Sequence, residues 1–283
     1  MKLIALDLDG TLLTPDKKIS SKDIEAIHHV QNNGHIVMIC SGRAQEDVEQ
    51  ILDSHGLSCP IAASNGTFVK IDNKIVNMIS MNEQDVQKIT SKLDDTNIPY
   101  RLYTNQGIYE HNEWNKRVYQ SLESLDEENK KKFRRFTEKP YNSSLIKRYA
   151  DLKQIVELGD VWIQKIFILL FDREKKEEVL LGLHGNNNIY ITSSGIFNVE
   201  VMDRRGDKGN GLRAVAKYYS IPLNETIAIG DNYNDLPMLK IAGLPIAMGN
   251  AICEVKNLCN IITLANDNNG VAYALNNFVS EIQ

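Results

Sequence analysis

No apolar run in this 283-residue chain approaches membrane-spanning length: the longest unbroken stretch, IFILLF at 166–171, is far below the ~20 residues a bilayer requires. The opening MKLIAL has one lysine and a few apolar residues, but acid follows at Asp7, so the segment is too short for a signal peptide, and a cytoplasmic location is expected. Cysteine is sparse. Cys40, Cys59, Cys253 and Cys259 form no C-x-x-C pair and have no histidine at zinc spacing, so they read as reduced core thiols rather than ligands or a disulfide. Positive charge is not in excess either. A formal net charge of −5 argues against non-specific attraction to nucleic acid or to acidic membrane, and an anionic substrate must then be drawn by local charge. The one dense basic patch, KKKFRR at 130–135, reads as a solvated helix face. There is no internal repeat, and no Gly/Ser- or Pro-rich linker to mark a domain joint.

What is present is an ordinary soluble composition, 42% hydrophobic and 24% charged, with enough apolar residues to bury a real core. The length suggests two domains. The first eighty residues alternate strand and helix patterns. After a strand ending at Asp7, Ser20 caps a helix with Ile24, Ile27 and Val30 on one face, stopped at Asn33-Gly34. The strand HIVMIC at 35–40 follows, then SGR at 41–43, a helix stopped by His55-Gly56, and a strand-like run PIAASNG. This rhythm reads as a doubly wound parallel sheet with helices on its faces. From about residue 80 the texture changes to aromatic and β-branched alternation, as in PYRLYTNQGIYEH, VWIQKIFILLFD and NIYITSSGIFNVEVM, separated by charged helical stretches: an α+β insertion. Trp114, Trp162, Tyr100, Tyr103 and Tyr109 lie in it and read as its core. Near Asp207 the first rhythm resumes, with a helix at 207–219 and the strand TIAIG at 226–230. The expected architecture is an α/β core made of residues 1–80 and 201–283, with a second domain at 81–200.

In open parallel α/β sheets ligands bind beyond the carboxyl ends of the strands. Asp7, Ser41 and Asp231 each stand just after a predicted strand, so three polar residues from three strands converge on one rim. DLDGT at 7–11 alone could be a simple turn, since Asp, Gly and Thr all favour turns. A second acidic cluster, GDNYNDLPM at 230–238, repeats the strand-then-carboxylates design. Two carboxylates ~4 Å apart repel by roughly 4 kcal/mol at an effective dielectric of 20, and up to four could share this rim. Such a cluster needs a cation. Hard oxygen ligands at a wet strand edge suit Mg²⁺, which takes one or two carboxylates and completes its shell with waters and phosphate oxygens; calcium would want more protein oxygens, and there is no EF-hand loop. Lys208, in GDKGNG, adds a further positive charge if its helix starts on the same rim.

DLDGT at 7–11, SGR at 41–43, DKG at 207–209 and GDNYND at 230–235 resemble the four ordered motifs of the haloacid dehalogenase (HAD) superfamily. IAMGNA at 246–251 and NNGVA at 268–272 are similar to the Cof-type sugar-phosphate phosphatases, which carry a large α/β cap between the second and third motifs. The resemblance implies a Rossmann-like core with an inserted cap, and Mg²⁺-dependent hydrolysis of small phosphorylated metabolites. It makes Asp7 the nucleophile, forming an aspartyl-phosphate. Asp9 becomes the general acid and then base, with its backbone carbonyl on the metal. Asp231 completes the metal site with Asp7 and Asp9, and Asp235 holds the surrounding hydrogen bonds. The phosphate oxygens fall to Ser41, the Gly42 and Leu8 amides, Lys208 and Asn234. Gly10 suits the tight turn, and Thr11 could brace it. For Arg43 two roles stay open, reaching the phosphate or pairing with a neighbouring acid. Lys165 and SSGIFNVE at 193–200 occupy places where family members shape the substrate pocket.

A phosphomutase would carry the same chemistry while keeping the phosphoryl group from water. A non-catalytic phosphoacceptor module also gathers acids, a Ser/Thr and a lysine around Mg²⁺, but it is about half this length and lacks an acid at the place of Asp9. A binding protein on the same core would be expected to have lost a motif residue, and none is missing. The expected partner is a small phosphorylated metabolite, with no nucleic acid or membrane, acting on a monomer or homodimer.

Overall fold

Strand β1, Leu3–Leu6, is buried at every residue. Four consecutive aliphatic residues with no exposed face need cover on both sides, which is the condition of an interior strand of a parallel sheet. In the computed structural model, which describes residues 1–123, 125–131 and 146–279, β1 pairs in parallel with a strand on either side. The chain forms two units, Met1–Met78 with Gly206–Gln283, and Ile79–Arg205.

The first unit opens with β1 and helix α1, Ser21–Asn32, whose N-cap Ser20 accepts a hydrogen bond from the Asp23 N–H. Ala26, Ile27 and Val30 are its buried stripe. Then come β2 (Ile36–Cys40), α2 (Gln45–Ser54) and β3 (Ile61–Ala63). Only the IAA of PIAASNG is strand; Ser64, Asn65 and Gly66 leave the sheet in a left-handed turn. The sheet is then extended by an antiparallel hairpin, β4 (Phe68–Ile71) and β5 (Lys74–Met78), so it is mixed rather than wholly parallel. Asp72 and Asn73, at φ 47° and 63°, supply the two left-handed residues of a tight hairpin turn.

The second unit has α3 (Glu83–Asp95), β6 (Tyr100–Thr104), β7 (Gly107–His111), α4 (Trp114–Leu122), β8 (Ile146–Tyr149), β9 (Ile163–Leu169), α5 (Arg173–Leu183), β10 (Ile189–Thr192) and β11 (Asn198–Asp203). Its sheet runs β10-β11-β9-β6-β7-β8, antiparallel except for β7 with β8. Alternation sorts the strands: Leu102, Ile166, Ile168, Val199 and Val201 pack with Val86, Ile89 and Leu93 of α3, while Trp114 and Val118 pack with Leu169 and Phe171. Trp114 is buried as expected, but Trp162 is 48% exposed; it precedes β9 rather than lying within it. Residues 132–135 of KKKFRR lie outside the described residues.

The chain then returns to the first unit with α6 (Lys208–Tyr218), β12 (Thr226–Gly230), α7 (Leu236–Ile241), β13 (Leu244–Ala247) and β14 (Ile261–Ile262). The eight strands lie in the order β14-β13-β12-β1-β2-β3-β4-β5. Leu6 is level with Ile229 of β12 on one side and Ile39 of β2 on the other. Strand order reverses at β1, the switch point where such sheets open a crevice at their carboxyl ends. All four cysteines are free thiols; Cys40 and Cys259 are buried, but Cys253 is exposed at the start of a short helix rather than in the core. Among the described residues no helix is long and apolar enough to cross a membrane.

Candidate active site

Beyond β1 the chain coils at once. The Asp7 N–H still donates to Ile229 of β12 (3.1 Å), after which the Thr11, Leu12 and Leu13 N–H groups turn back onto the carbonyls of Leu8, Asp7 and Leu8. Leu8, Leu12 and Leu13 are buried, so apolar side chains anchor a turn whose polar residues stay at the rim. Gly10 sits at φ +89°, and a Cβ there would run into the Asp231 carboxylate. The position demands glycine twice over.

At this rim the two chain ends meet. Lys208 opens α6, whose N-cap Asp207 accepts from the Asn210 N–H. Its ammonium group, fully buried, lies 2.5 Å from both Asp7 Oδ1 and Asp235 Oδ1. Asp235 Oδ2 accepts from the backbone N–H groups of Asp231 (2.8 Å) and Asn232 (2.9 Å), so both its oxygens are engaged. The Thr11 hydroxyl donates to Asp231 Oδ1 at 3.1 Å; Thr11 braces the acid as well as the turn. Oxygens of Asp7, Asp231 and Asp235 lie within 4.8 Å of one another. Burial, reinforced by the charge of Asp235, pushes Asp7 up to about 7 even with Lys208 pulling it down. Burial and the charges of Asp7 and Asp235 push Asp231 up to about 9. For Lys208 the two carboxylates outweigh burial and hold its ammonium well above the usual lysine range.

These residues fit a divalent cation. Asp7 Oδ2 is buried with no hydrogen-bond partner, which is costly for a carboxylate oxygen, and Asp231 stands beside it. One or two carboxylates are what Mg²⁺ takes from a protein, the rest of its shell being waters and phosphate oxygens. A cation there would relieve the repulsion that one lysine leaves uncompensated.

Asp9 faces differently. Its carboxylate, 39% exposed, is gripped by Arg43 through Nε (2.6 Å) and the terminal nitrogen Nη2 (2.8 Å), and by Lys17 Nζ at 2.7 Å. Burial would raise Asp9, but Arg43 and Lys17 outweigh it and hold the carboxyl well below the usual range. The acidic cluster is therefore three carboxylates rather than four, and Arg43 takes the second of the roles left open for it. Lys17 was not singled out in the sequence; a left-handed residue (φ 61°) in a polar loop gives no hint that it returns to Asp9.

Ser41, following β2, is buried, with its N–H on the Ala62 carbonyl (2.9 Å) and its hydroxyl accepting from the Arg43 N–H (3.2 Å). Asn234, buried in the short turn after β12, donates from Nδ2 to Asn65 Oδ1 at 3.1 Å. Leu8, Ser41, Gly42, Lys208 and Asn234 all lie in the first unit, on turns at the carboxyl ends of β1, β2 and β12 or at the start of α6. Asn65 also escaped the sequence reading, where SNG was absorbed into a strand; an Asn-Gly pair is itself a turn signal. In the second unit Lys165 is buried, its Nζ 3.4 Å from Glu200 and 4.1 Å from the centre of the Tyr103 ring.

A family profile described as haloacid dehalogenase-like hydrolase matches residues 4–275. The 5-amino-6-(5-phospho-D-ribitylamino)uracil phosphatase YwtE of Bacillus subtilis is 32% identical, over 99% of both chains. The B. subtilis phosphatase YwpJ is 29% identical over 97% of this chain and 99% of its own. A solved haloacid dehalogenase-like hydrolase from B. subtilis superposes with a TM-score of 0.87 at 28% identity, covering 99% of this chain and 100% of that one. The chain belongs to the haloacid dehalogenase-like hydrolases, among their Cof-type phosphatases. It is an enzyme, a phosphoric monoester hydrolase.

Proposed function

We propose that this phosphatase works in the cytoplasm on small phosphorylated metabolites, sugar phosphates or similar esters, through a phosphoryl group carried on Asp7. The observation that carries the reading is the unpartnered Asp7 Oδ2, buried beside Lys208 and Asp231. In the first step an Asp7 oxygen bonds to phosphorus while the ester P–O bond breaks, and Asp9 gives its proton to the leaving oxygen. In the second, the Asp9 carboxylate takes a proton from water, the water oxygen bonds to phosphorus, and Asp7 leaves as a carboxylate. As it stands Asp9 is bound to two cations, in the form the second step needs; donating a proton first requires Arg43 and Lys17 to release it. Lys208, Ser41, the Leu8 and Gly42 amides and Asn234 spread donors around the equatorial oxygens. Asp7, Asp231 and the Asp9 backbone carbonyl would hold Mg²⁺, which neutralises phosphate charge when bound. Asp235 orients Lys208 and the Asp231 backbone. The unit Ile79–Arg205 serves as the cap that selects substrates.

The test is phosphate release from p-nitrophenyl phosphate, followed by a panel of sugar phosphates, nucleotides, flavin and pyridoxal phosphates and the phosphorylated ribitylaminouracil for which YwtE is named. Activity that needs Mg²⁺ and disappears with EDTA and in Asp7→Asn supports the reading. Full activity in Asp7→Asn removes Asp7 as the nucleophile.

A further inference from the structure

The turn after β3 leaves ordinary backbone at three successive residues: Ser64 at φ 47°, Asn65 at 57° and Gly66 at 82°. Glycine adopts this region freely and asparagine tolerably, but serine seldom does. Ser64 and Asn65 are both 1% exposed, so this is no solvated loop tip. Such conformations persist only where the surroundings over-determine them.

The surroundings here are the candidate site. A Cβ on Gly66 would collide with the Asp207 carbonyl and press on the Gly211 backbone, so the turn lies flat against the start of α6, where Lys208 stands. The Asn65 N–H donates to the Ser41 carbonyl at 2.9 Å, and the Ser64 N–H to the Arg43 carbonyl at 2.7 Å. On its other side Asn65 Oδ1 accepts from Asn234 Nδ2 at 3.1 Å. A Cβ on Gly42 would stand 3.0 Å from Asn65 Oδ1 and 3.5 Å from Asn234 Nδ2. The turns after β2, β3 and β12 thus interlock at one buried carboxamide.

We propose that Asn65 is a positioning residue for phosphate recognition, acting through Asn234 and the Ser41 turn; this rests on the function proposed above. A carboxamide rotates about its last bond with a broad, nearly two-fold preference. Without a brace, Asn234 could offer a phosphate its oxygen, which repels, as readily as its nitrogen, which donates. The Asn65 oxygen settles the choice. It takes one N–H of Asn234 Nδ2 and so keeps the nitrogen on that side, with the second N–H left for an anionic oxygen. The same residue's backbone fixes the Ser41 carbonyl, so two phosphate donors from different strands keep a common geometry.

Asn65→Gly isolates the carboxamide, because glycine accepts the left-handed backbone without strain. Parent, Asn65→Gly, Asn234→Ala and the double variant are compared for kcat and KM on p-nitrophenyl phosphate, inhibition by inorganic phosphate, and melting temperature. Misplacing a phosphate donor lowers kcat/KM roughly 10- to 100-fold. That loss is expected in Asn65→Gly at temperatures where the variant is fully folded, with weaker phosphate inhibition and a melting temperature lowered by the loss of one buried hydrogen bond. The double variant is expected to be no worse than Asn234→Ala by more than about threefold, since residues acting as a unit do not add. An active parent with Asn65→Gly within about twofold of it overturns the proposal, as does a double variant whose losses multiply. Should Asn65→Gly melt early, all four proteins are compared at a temperature where circular dichroism shows each of them folded: a loss in kcat/KM and in phosphate inhibition that persists there supports the proposal, and one that disappears there overturns it. A parent with no phosphatase activity sinks the functional reading itself, whereas an active parent indifferent to Asn65→Gly sinks the role of Asn65 alone.

Discussion

Replacing Lys208 by methionine removes a buried charge while keeping a long unbranched side chain in its place. The lysine ammonium touches Asp7 and Asp235 at 2.5 Å each and is fully buried. Each contact is worth ~7 kcal/mol at an effective dielectric of 20, most of it cancelled by the desolvation of the lysine. The variant does not recover that balance, because it leaves two carboxylates buried against each other with no cation. Breaking a buried pair in this way costs about 3–5 kcal/mol, a large part of the ~5–15 kcal/mol by which a protein is folded. The sign of the pH dependence follows from Asp7, which burial raises to about 7 although Lys208 pulls it down. Without Lys208 it rises further, so above about pH 7 the folded variant keeps a proton that the folded parent has released and that the unfolded chain does not hold. Stability falls with pH wherever the folded state binds more protons, and the variant's deficit must deepen from neutral to alkaline pH. Urea unfolding of both proteins in EDTA, at neutral pH and about two pH units higher, measures it directly. A deficit under about 1 kcal/mol at the higher pH, or one that shrinks as pH rises, would refute the arrangement of charges described here.

Asp9→Asn is expected to lower kcat by roughly 10²–10⁴, and by more for an alkyl phosphate than for p-nitrophenyl phosphate, whose leaving group needs little protonation; equal losses on the two esters count against Asp9 as the acid. Thr11→Val removes the hydroxyl bound to Asp231 Oδ1 and should raise the Mg²⁺ concentration for half-maximal activity by about 10–100-fold with a smaller change in maximal rate; an unchanged metal titration denies Thr11 that role. His35 accepts the Lys2 N–H through Nδ1 at 3.0 Å, and burial, with the positive N-terminus and Lys2, lowers it from 6.5. Because the folded state resists protonation there, stability is lost as pH falls below about 6.5. His35→Gln should flatten that part of the urea-midpoint profile, and an unaltered slope would assign it to other groups.

The parts of the fold that could be read from the sequence are those where local chemistry and long-range packing agree. β1, β2 and β12 are continuous apolar runs ending in polar residues, and α1 and α6 carry their own caps in Ser20 and Asp207. The hairpin β4–β5 escaped notice because its turn is Asp72-Asn73 rather than a glycine pair, although both residues take the left-handed conformation. In Ser64–Gly66 the Asn-Gly pair is a local turn signal, but the left-handed Ser64 before it has none, and its N–H is held by the Arg43 carbonyl of another turn. Trp162 looked like core by residue type alone, yet its position just before β9 leaves it half exposed. At the site, residue types and their attachment to strand ends were legible because two separate apolar runs, at 3–6 and 226–230, each lead straight into acidic residues. The grip of Arg43 and Lys17 on Asp9, and of Asn65 on Asn234, depends on side-chain direction, which spacing does not encode.

Hydrolysis by this route requires Asp7 to carry the phosphoryl group. Enzyme mixed with a phosphomonoester and Mg²⁺, quenched in acid during turnover and treated with borohydride, converts an acyl phosphate to a stable alcohol that peptide mass mapping can place. The modification should appear at residue 7, and not at Asp9, Asp231 or Asp235, and it should be absent when substrate is omitted. Modification at one of the other acids, in place of residue 7, would contradict the assignment.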